Sequence, residues 1–194
     1  MSRAPIAFGF RKNDMASLID VRQLDDILPV YRGTPIEWLF RYQNLDEPQF
    51  STTVIAQVFV SMCIDNRKAL NVQNGFAYIL RTAGARLRGN EFELSFAIAI
   101  GGVSAVALIG HTDCRMAIVL EKRDEFIAGL VQRAGVDPDE AAKHFDAFAP
   151  NYAISNPVDA TIRRAEMVRR SLPNILVAPL LYRIEDDQLM QIDY

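Results

Sequence analysis

Four stretches of this chain are apolar over most of their length, and that feature limits the fold more than any other. They are Thr53–Cys63 (TVIAQVFVSMC), Phe76–Thr82 (FAYILRT), Val103–Ile109 (VSAVALI) and Asn174–Tyr182 (NILVAPLLY). A strand with one wet face alternates apolar and polar residues, whereas a strand buried on both faces does not. Continuous strands of this kind belong to a parallel sheet with helices on either side. Helical spacing fills the intervals, at Asn90–Ile100, Asp124–Arg133, Pro138–Phe148 and Pro157–Arg170. The alternation predicts a doubly wound α/β fold with about four parallel strands. After the polar turn at Asp186-Asp187, Gln188–Ile192 is expected to return as an antiparallel edge strand.

Residues 1–50 read differently, as an N-terminal arm with helical pieces. Asp14 is placed to cap a short helix over Met15–Leu18, and Thr34-Pro35 to open a second over Ile36–Tyr42. Trp38, Phe40 and Tyr42 make the second piece strongly aromatic. Outside an α/β core it would expose a large apolar patch, so it is expected to pack on a second subunit. No repeat or linker divides the 194 residues, which predicts a single domain.

Charge excludes some functions. The formal net charge is -3 at pH 7, whereas nucleic-acid binders carry a strongly basic face. The cluster Arg163, Arg164, Arg169 and Arg170, with Glu166 among it, reads as a solvated helix face. The N-terminus has no continuous apolar stretch after its positive charges, and no apolar stretch reaches the length of a membrane span. A soluble, cytoplasmic protein is expected. In that reducing compartment the only two cysteines, Cys63 and Cys114, should be thiols or metal ligands.

Two polar segments directly follow buried strands: Cys63-Ile64-Asp65-Asn66-Arg67 and His111-Thr112-Asp113-Cys114. In open α/β sheets, ligands bind outside the carboxyl ends of the strands, where the winding reverses. If the first and third apolar strands are neighbours, with the second outside the first, Cys63 and His111 face each other there. Two thiolates and an imidazole suit zinc, and three protein ligands leave a fourth position open, as in catalytic sites. Such a site lowers the pKa of bound water to about 7. A free carboxylate so close would compete for the open position, and Arg67 can hold Asp65 in a bidentate pair that prevents this. Each piece alone has an ordinary reading: a buried Cys as a small core residue, a His as structural, Asp-x-Arg as a surface ion pair. Their conjunction in one crevice is what favours a metal.

The segments SMCIDNR, LRTAGARL and GGVSAVALIGHTDCRM together resemble the β-class carbonic anhydrases. That family shows Cys-x-Asp-x-Arg after its first strand and His-x-x-Cys after its third. Between them lie a strand ending in Asn-Ala-Gly and a helix often opening Ser-Leu, where this chain has Thr82-Ala83-Gly84 and Leu94-Ser95. The resemblance is good over residues 53–120 and looser beyond. It implies zinc held by Cys63, His111 and Cys114, with Asp65 and Arg67 as the catalytic dyad. The implied reaction is reversible hydration of carbon dioxide to bicarbonate by zinc hydroxide, in a homodimer or dimer-based oligomer.

Three departures stand out. Arg115 follows the second cysteine where the family has Gly, and either points to solvent or reaches the site. Thr82 replaces the usual Asn. A Gln that in many plant-type members hydrogen-bonds substrate has Val54 at its place, with Gln49 and Gln57 nearby. Other readings are a hydrolase of carbonyl sulfide or carbon disulfide with the same motifs, a non-catalytic zinc-binding paralogue, and a redox pair of Cys63 and Cys114. Neither cysteine lies in a Cys-x-x-Cys arrangement, which argues against the last. His144 is expected on a helix face.

Overall fold

A computed structural model describes residues 16–47 and 55–194. Among these, six strands form one sheet: β1 (Ser17–Asp20), β2 (Val58–Cys63), β3 (Ala77–Thr82), β4 (Ala105–His111), β5 (Leu176–Arg183) and β6 (Gln188–Asp193). The spatial order is β1-β6-β5-β4-β2-β3. β2 pairs in parallel with both β3 and β4, and β4 in parallel with β5. The four continuous apolar stretches are therefore the four parallel strands; β2, β4 and β5 are buried on both faces as expected, whereas β3, at the edge of the sheet, has no buried residue. β6 runs antiparallel to β5 as expected, but it is not the edge, because β1 pairs antiparallel along its far side. The helix expected over Met15–Leu18 gives way to a strand within its described part; Asp14 and Met15 lie outside the described residues. Leu18 pairs with Ile192 in that strand. Sheet pairing here overrides a local capping signal, which is weak for so short a helix.

Five α-helices follow the expected positions: α1 (Pro35–Asn44), α2 (Glu91–Ala99), α3 (Arg123–Ala134), α4 (Pro138–Phe148) and α5 (Pro157–Ser171). Three of them open with a capping side chain followed by proline. Thr34 accepts from the Ile36 N–H, Asp137 from Asp139 and Glu140, and Asn156 from Val158 and Asp159. Proline costs nothing there, because its missing N–H has no partner within the helix.

Strand alternation divides the core between two faces. Val58, Val60, Met62, Ala105, Ala107, Ile109, Ala178 and Leu180 pack with Ile36, Leu39 and Phe40 of α1. Phe59, Val106, Leu108 and Val177 pack with Leu94 and Ala97 of α2 and with Ala165 and Val168 of α5. The aromatic arm thus covers its own sheet. Phe40 is fully buried, Tyr42 nearly so, and only Trp38 is partly exposed. The reason given for packing this segment on a partner falls away, because the apolar patch is spent within the chain.

β3 is left as the other edge, with β4 on the far side of β2. The winding direction reverses between β2 and β4, the crevice where the two polar segments emerge. Among the described residues, no helix is long and apolar enough to cross a membrane.

Candidate metal centre

Cys63 ends β2 and His111 ends β4, so the sheet itself sets their spacing. Cys114 follows after a short turn in which Asp113 takes a left-handed φ of 51°. The three side chains are buried, and a ligand atom from each lies within 4.8 Å of the others. Two sulfurs on one tetrahedral zinc sit about 3.8 Å apart, so a small contraction brings this group to metal distance. Both cysteines are free thiols, so the redox pair is not formed here.

The imidazole supplies the sharpest test of fit. His111 Nδ1 lies 2.8 Å from the Thr112 carbonyl oxygen. A carbonyl only accepts, so Nδ1 carries the proton and Nε2 presents a lone pair. That Nε2 is fully buried and has no hydrogen-bond partner. A buried unpaired acceptor costs about 1–3 kcal/mol. A metal ion would satisfy it.

The two sulfurs behave as one proton-sharing pair. Cys63 is pulled down, first by the hydrogen bond from the Cys114 thiol and then, against the opposing effect of burial, by the Asp65 and Gly84 N–H groups. The Gly84 amide lies 3.3 Å from its sulfur. Cys114 is pushed far up by the same sharing and by burial. One proton between two sulfurs occupies the place that a cation would take. Gly84 can aim its N–H because its φ of 66° suits a residue without Cβ. Thr82 serves the same turn rather than the site: its hydroxyl donates to the Arg86 carbonyl at 2.7 Å.

Asp65 and Arg67 pair as expected. Arg67 Nε and Nη2 donate to the two Asp65 carboxylate oxygens at 3.0 and 2.8 Å, and the Arg67 backbone N–H donates at 3.0 Å. These donors hold the Asp65 carboxyl well below the usual carboxylate range. The sequence did not signal a second anchor: Arg67 Nη1 also reaches the Asp113 carboxylate at 2.6 Å, and Nη2 the Asp113 carbonyl at 2.9 Å. Arg67 thereby ties the segment after β2 to the segment after β4.

Arg115 is exposed and lies outside the cavity between the ligands. It borders a wider groove with Arg67, Asp113 and one side of α3 along its length. Gln57 sits at the start of β2, the opposite end of the sheet from Cys63, where its backbone bonds Phe76 and Ser104. Gln49 and Val54 lie outside the described residues. His144 is on the exposed face of α4, ring to ring with Phe148 at 4.9 Å.

Two cations near the centre carried no recognisable motif. Lys68 is 3% exposed, and its Nζ has no hydrogen-bond partner. Burial lowers its pKa, while Cys63 and Asp65 oppose the shift. Arg164 corrects the reading of the basic cluster. Arg163, Arg169 and Arg170 are exposed as expected, but Arg164 is partly buried and lines the metal cavity. That cavity, about 10 Å³, is bounded by Cys63, His111, Cys114, Gly84, Ala85, Gly110, Ile154, Pro157 and Arg164. It has room for about one water molecule.

No protein-family model and no curated protein matches the sequence. Solved structures do. The chain resembles β-carbonic anhydrase isoform I from the protozoan Trichomonas vaginalis, with a TM-score of 0.59 and 19% identity over 80% of this chain and 92% of that one. It resembles a carbonic anhydrase from Glaciozyma antarctica with a TM-score of 0.57 and 20% identity, over 75% and 87% of the two chains. It also resembles the apo form of a carbon disulfide hydrolase, with a TM-score of 0.51 and 19% identity over 70% and 78%. The fold is that of the β-carbonic anhydrases.

Proposed function

We propose that this chain is a zinc-dependent carbonic anhydrase, with Cys63, His111 and Cys114 as the ligands and Asp65 and Arg67 as the catalytic dyad. One observation carries the reading: the fully buried, unpartnered Nε2 of His111 converges with the two sulfurs. A zinc ion held there would supply Lewis acidity and make water a nucleophile near neutral pH. Asp65 is an ionised acceptor already oriented by Arg67, so it can hold a proton donor in one direction without reaching for the metal.

Carbon disulfide and carbonyl sulfide share that shape, and one structural neighbour is a carbon disulfide hydrolase. Relative rates separate the readings. The purified protein should hold about one zinc per chain, with two sulfurs at about 2.3 Å and one nitrogen at about 2.0–2.1 Å. Stopped-flow hydration of carbon dioxide should exceed sulfide release from carbon disulfide. A protein that stays metal-free under reducing conditions defeats the proposal. A zinc protein inert toward all three substrates would be a non-catalytic paralogue.

The thiol ligands call for a reducing compartment, which supports a cytoplasmic site of action. A homodimer is supported by a surface other than the arm. Among the described residues the β3 edge is unpaired and exposes Tyr78 and Ile79, and the adjoining α2 exposes Phe92 and Phe96, with Ile100 just past its end. Arg81 is the only charge on β3 to discourage pairing with a second copy.

A further inference from the structure

Among the described residues, Arg164 is the one cation on the wall of the metal cavity. It arrives there through backbone packing. Gly110, the residue before His111, lets α5 lie directly on β4: a Cβ at that position would sit 2.5 Å from Thr161 Oγ1 and 3.1 Å from the Pro157 carbonyl oxygen. Pro157, Thr161 and Arg164 share one side of α5, at spacings of four and three residues. Helical side chains lean back toward the N-terminus, which carries the long Arg164 side chain toward Pro157 and the cavity.

Its charge is uncompensated. Arg164 makes no hydrogen bond or ion pair among the described residues. The opposite charges that reach it are those of Cys114 and Cys63, and Arg163 repels it. Burial disfavours its charged form, yet a guanidinium stays protonated. The surrounding charges do not account for it. A divalent ion would cancel the two thiolates. Arg67 stands between two carboxylates, Asp65 and Asp113, and leaves one negative charge over. Lys68, within reach of Asp65 and Cys63, offsets that one. Arg164 is then a surplus positive charge on the wall of the cavity that the three ligands border. The first residue of α5 borders the same cavity, so the positive end of that helix dipole adds to the surplus.

We infer that Arg164 is an anion-positioning residue: from the wall beside the three ligands it draws a small oxyanion, such as bicarbonate, to the metal centre. This rests on the metal reading proposed above. A guanidinium presents donors in a fork that fits two oxygens of a planar oxyanion. The role predicts an unusual sign. A cation beside a metal site opposes metal binding and favours an anion, so removing it should weaken anion binding without weakening metal binding. A merely structural arginine would change both in the same direction, or neither.

The test uses the cobalt(II)-loaded full chain, whose visible bands report the coordination of the metal. Bicarbonate is titrated at fixed pH into wild type, Arg164→Gln and Arg164→Lys. Zinc affinity is measured in parallel by competition with a chelator. The expected result is bicarbonate binding about tenfold weaker in Arg164→Gln, partly restored in Arg164→Lys, with zinc affinity equal to or higher than wild type. Equal bicarbonate affinity in all three proteins would overturn the inference, as would a parallel loss of zinc affinity. A wild type that takes up neither cobalt nor zinc would defeat the metal reading first and this inference with it. That outcome is visible before any bicarbonate is added.

Discussion

Arg67 joins Asp65 to Asp113 across the crevice between β2 and β4, with Nη2 2.8 Å from one carboxylate and Nη1 2.6 Å from the other. The Asp65 side chain is 9% exposed and that of Asp113 is 73% exposed. The inner pair is therefore shielded and the outer one is weakened by solvent. Arg67→Ala should free the Asp65 carboxylate to compete for the metal. Zinc should be retained while hydration falls on the order of 100-fold, the scale of a misplaced catalytic group. Asp113→Ala should cost far less, because the bidentate contact to Asp65 survives. Stopped-flow rates and metal content decide it, and an Arg67→Ala protein as fast as wild type would remove the dyad from the mechanism.

Metal binding should release about one proton per zinc near pH 7, not two. Cys63 is held toward its ionised form by the proton that the Cys114 thiol directs at it. Cys114 keeps its proton, because its pKa is raised. His111 bonds the Thr112 carbonyl through Nδ1 and offers Nε2 to the metal. Only the shared thiol proton must leave. Calorimetry in buffers of different ionisation enthalpy measures the number directly. Two protons per zinc would show two ordinary thiols in the metal-free protein.

Much of this was legible in the sequence, for physical reasons. β2, β4 and β5, buried on both faces, announce themselves by lacking polar positions, and Thr34-Pro35 marked the start of α1. The convergence of Cys63, His111 and Cys114 and the pairing of Asp65 with Arg67 were legible because these residues cluster at strand ends. Other features depend on long-range packing, which leaves no local pattern. β1 forms because β6 offers an unpaired side, not because SLID favours a strand. The aromatic residues of α1 signalled burial but not which surface would cover them. Arg164 looks like its neighbours Arg163, Arg169 and Arg170 until Gly110 brings α5 onto β4. Asp113 reaches Arg67 only across the sheet.

Arg115 should matter little to turnover. It is exposed and does not border the ligand cavity. Arg115→Gly is expected to keep hydration rates within about twofold of wild type, the effect of an exposed charge outside the site. A variant many times faster would mean that this side chain obstructs entry.

Association should depend on the β3 edge and α2 and not on the aromatic arm. Phe92 is 77% exposed and Ile79 45% exposed, whereas Phe40 is fully buried. Phe92→Glu combined with Ile79→Lys should give a folded monomer by light scattering at micromolar concentration. Phe40→Ala should instead lower stability by about 3–5 kcal/mol through loss of core packing, with no direct effect on association. A dimer unchanged by the double substitution would place the interface elsewhere.

The packing of α5 on β4 gives a test that needs no metal. In Gly110→Ala the new methyl would lie 2.5 Å from Thr161 Oγ1 and 3.1 Å from the Pro157 carbonyl. Neither can retreat easily. Thr161 is 1% exposed, and its hydroxyl donates to that same Pro157 carbonyl at 2.8 Å. Overpacking of this kind costs about 1–3 kcal/mol, or a few degrees of melting temperature per kcal/mol for a chain of this size. Thr161→Ala removes the nearer obstacle and one hydrogen bond, so alone it should also destabilise. If the clash is the cause, the double variant should be more stable than the sum of the two single effects, because they share one contact. The residual strain from Pro157 should keep the double variant below wild type. Thermal melts of the four metal-free proteins measure the coupling. Strict additivity would mean that Gly110 is not what seats α5, and with it Arg164, beside the centre.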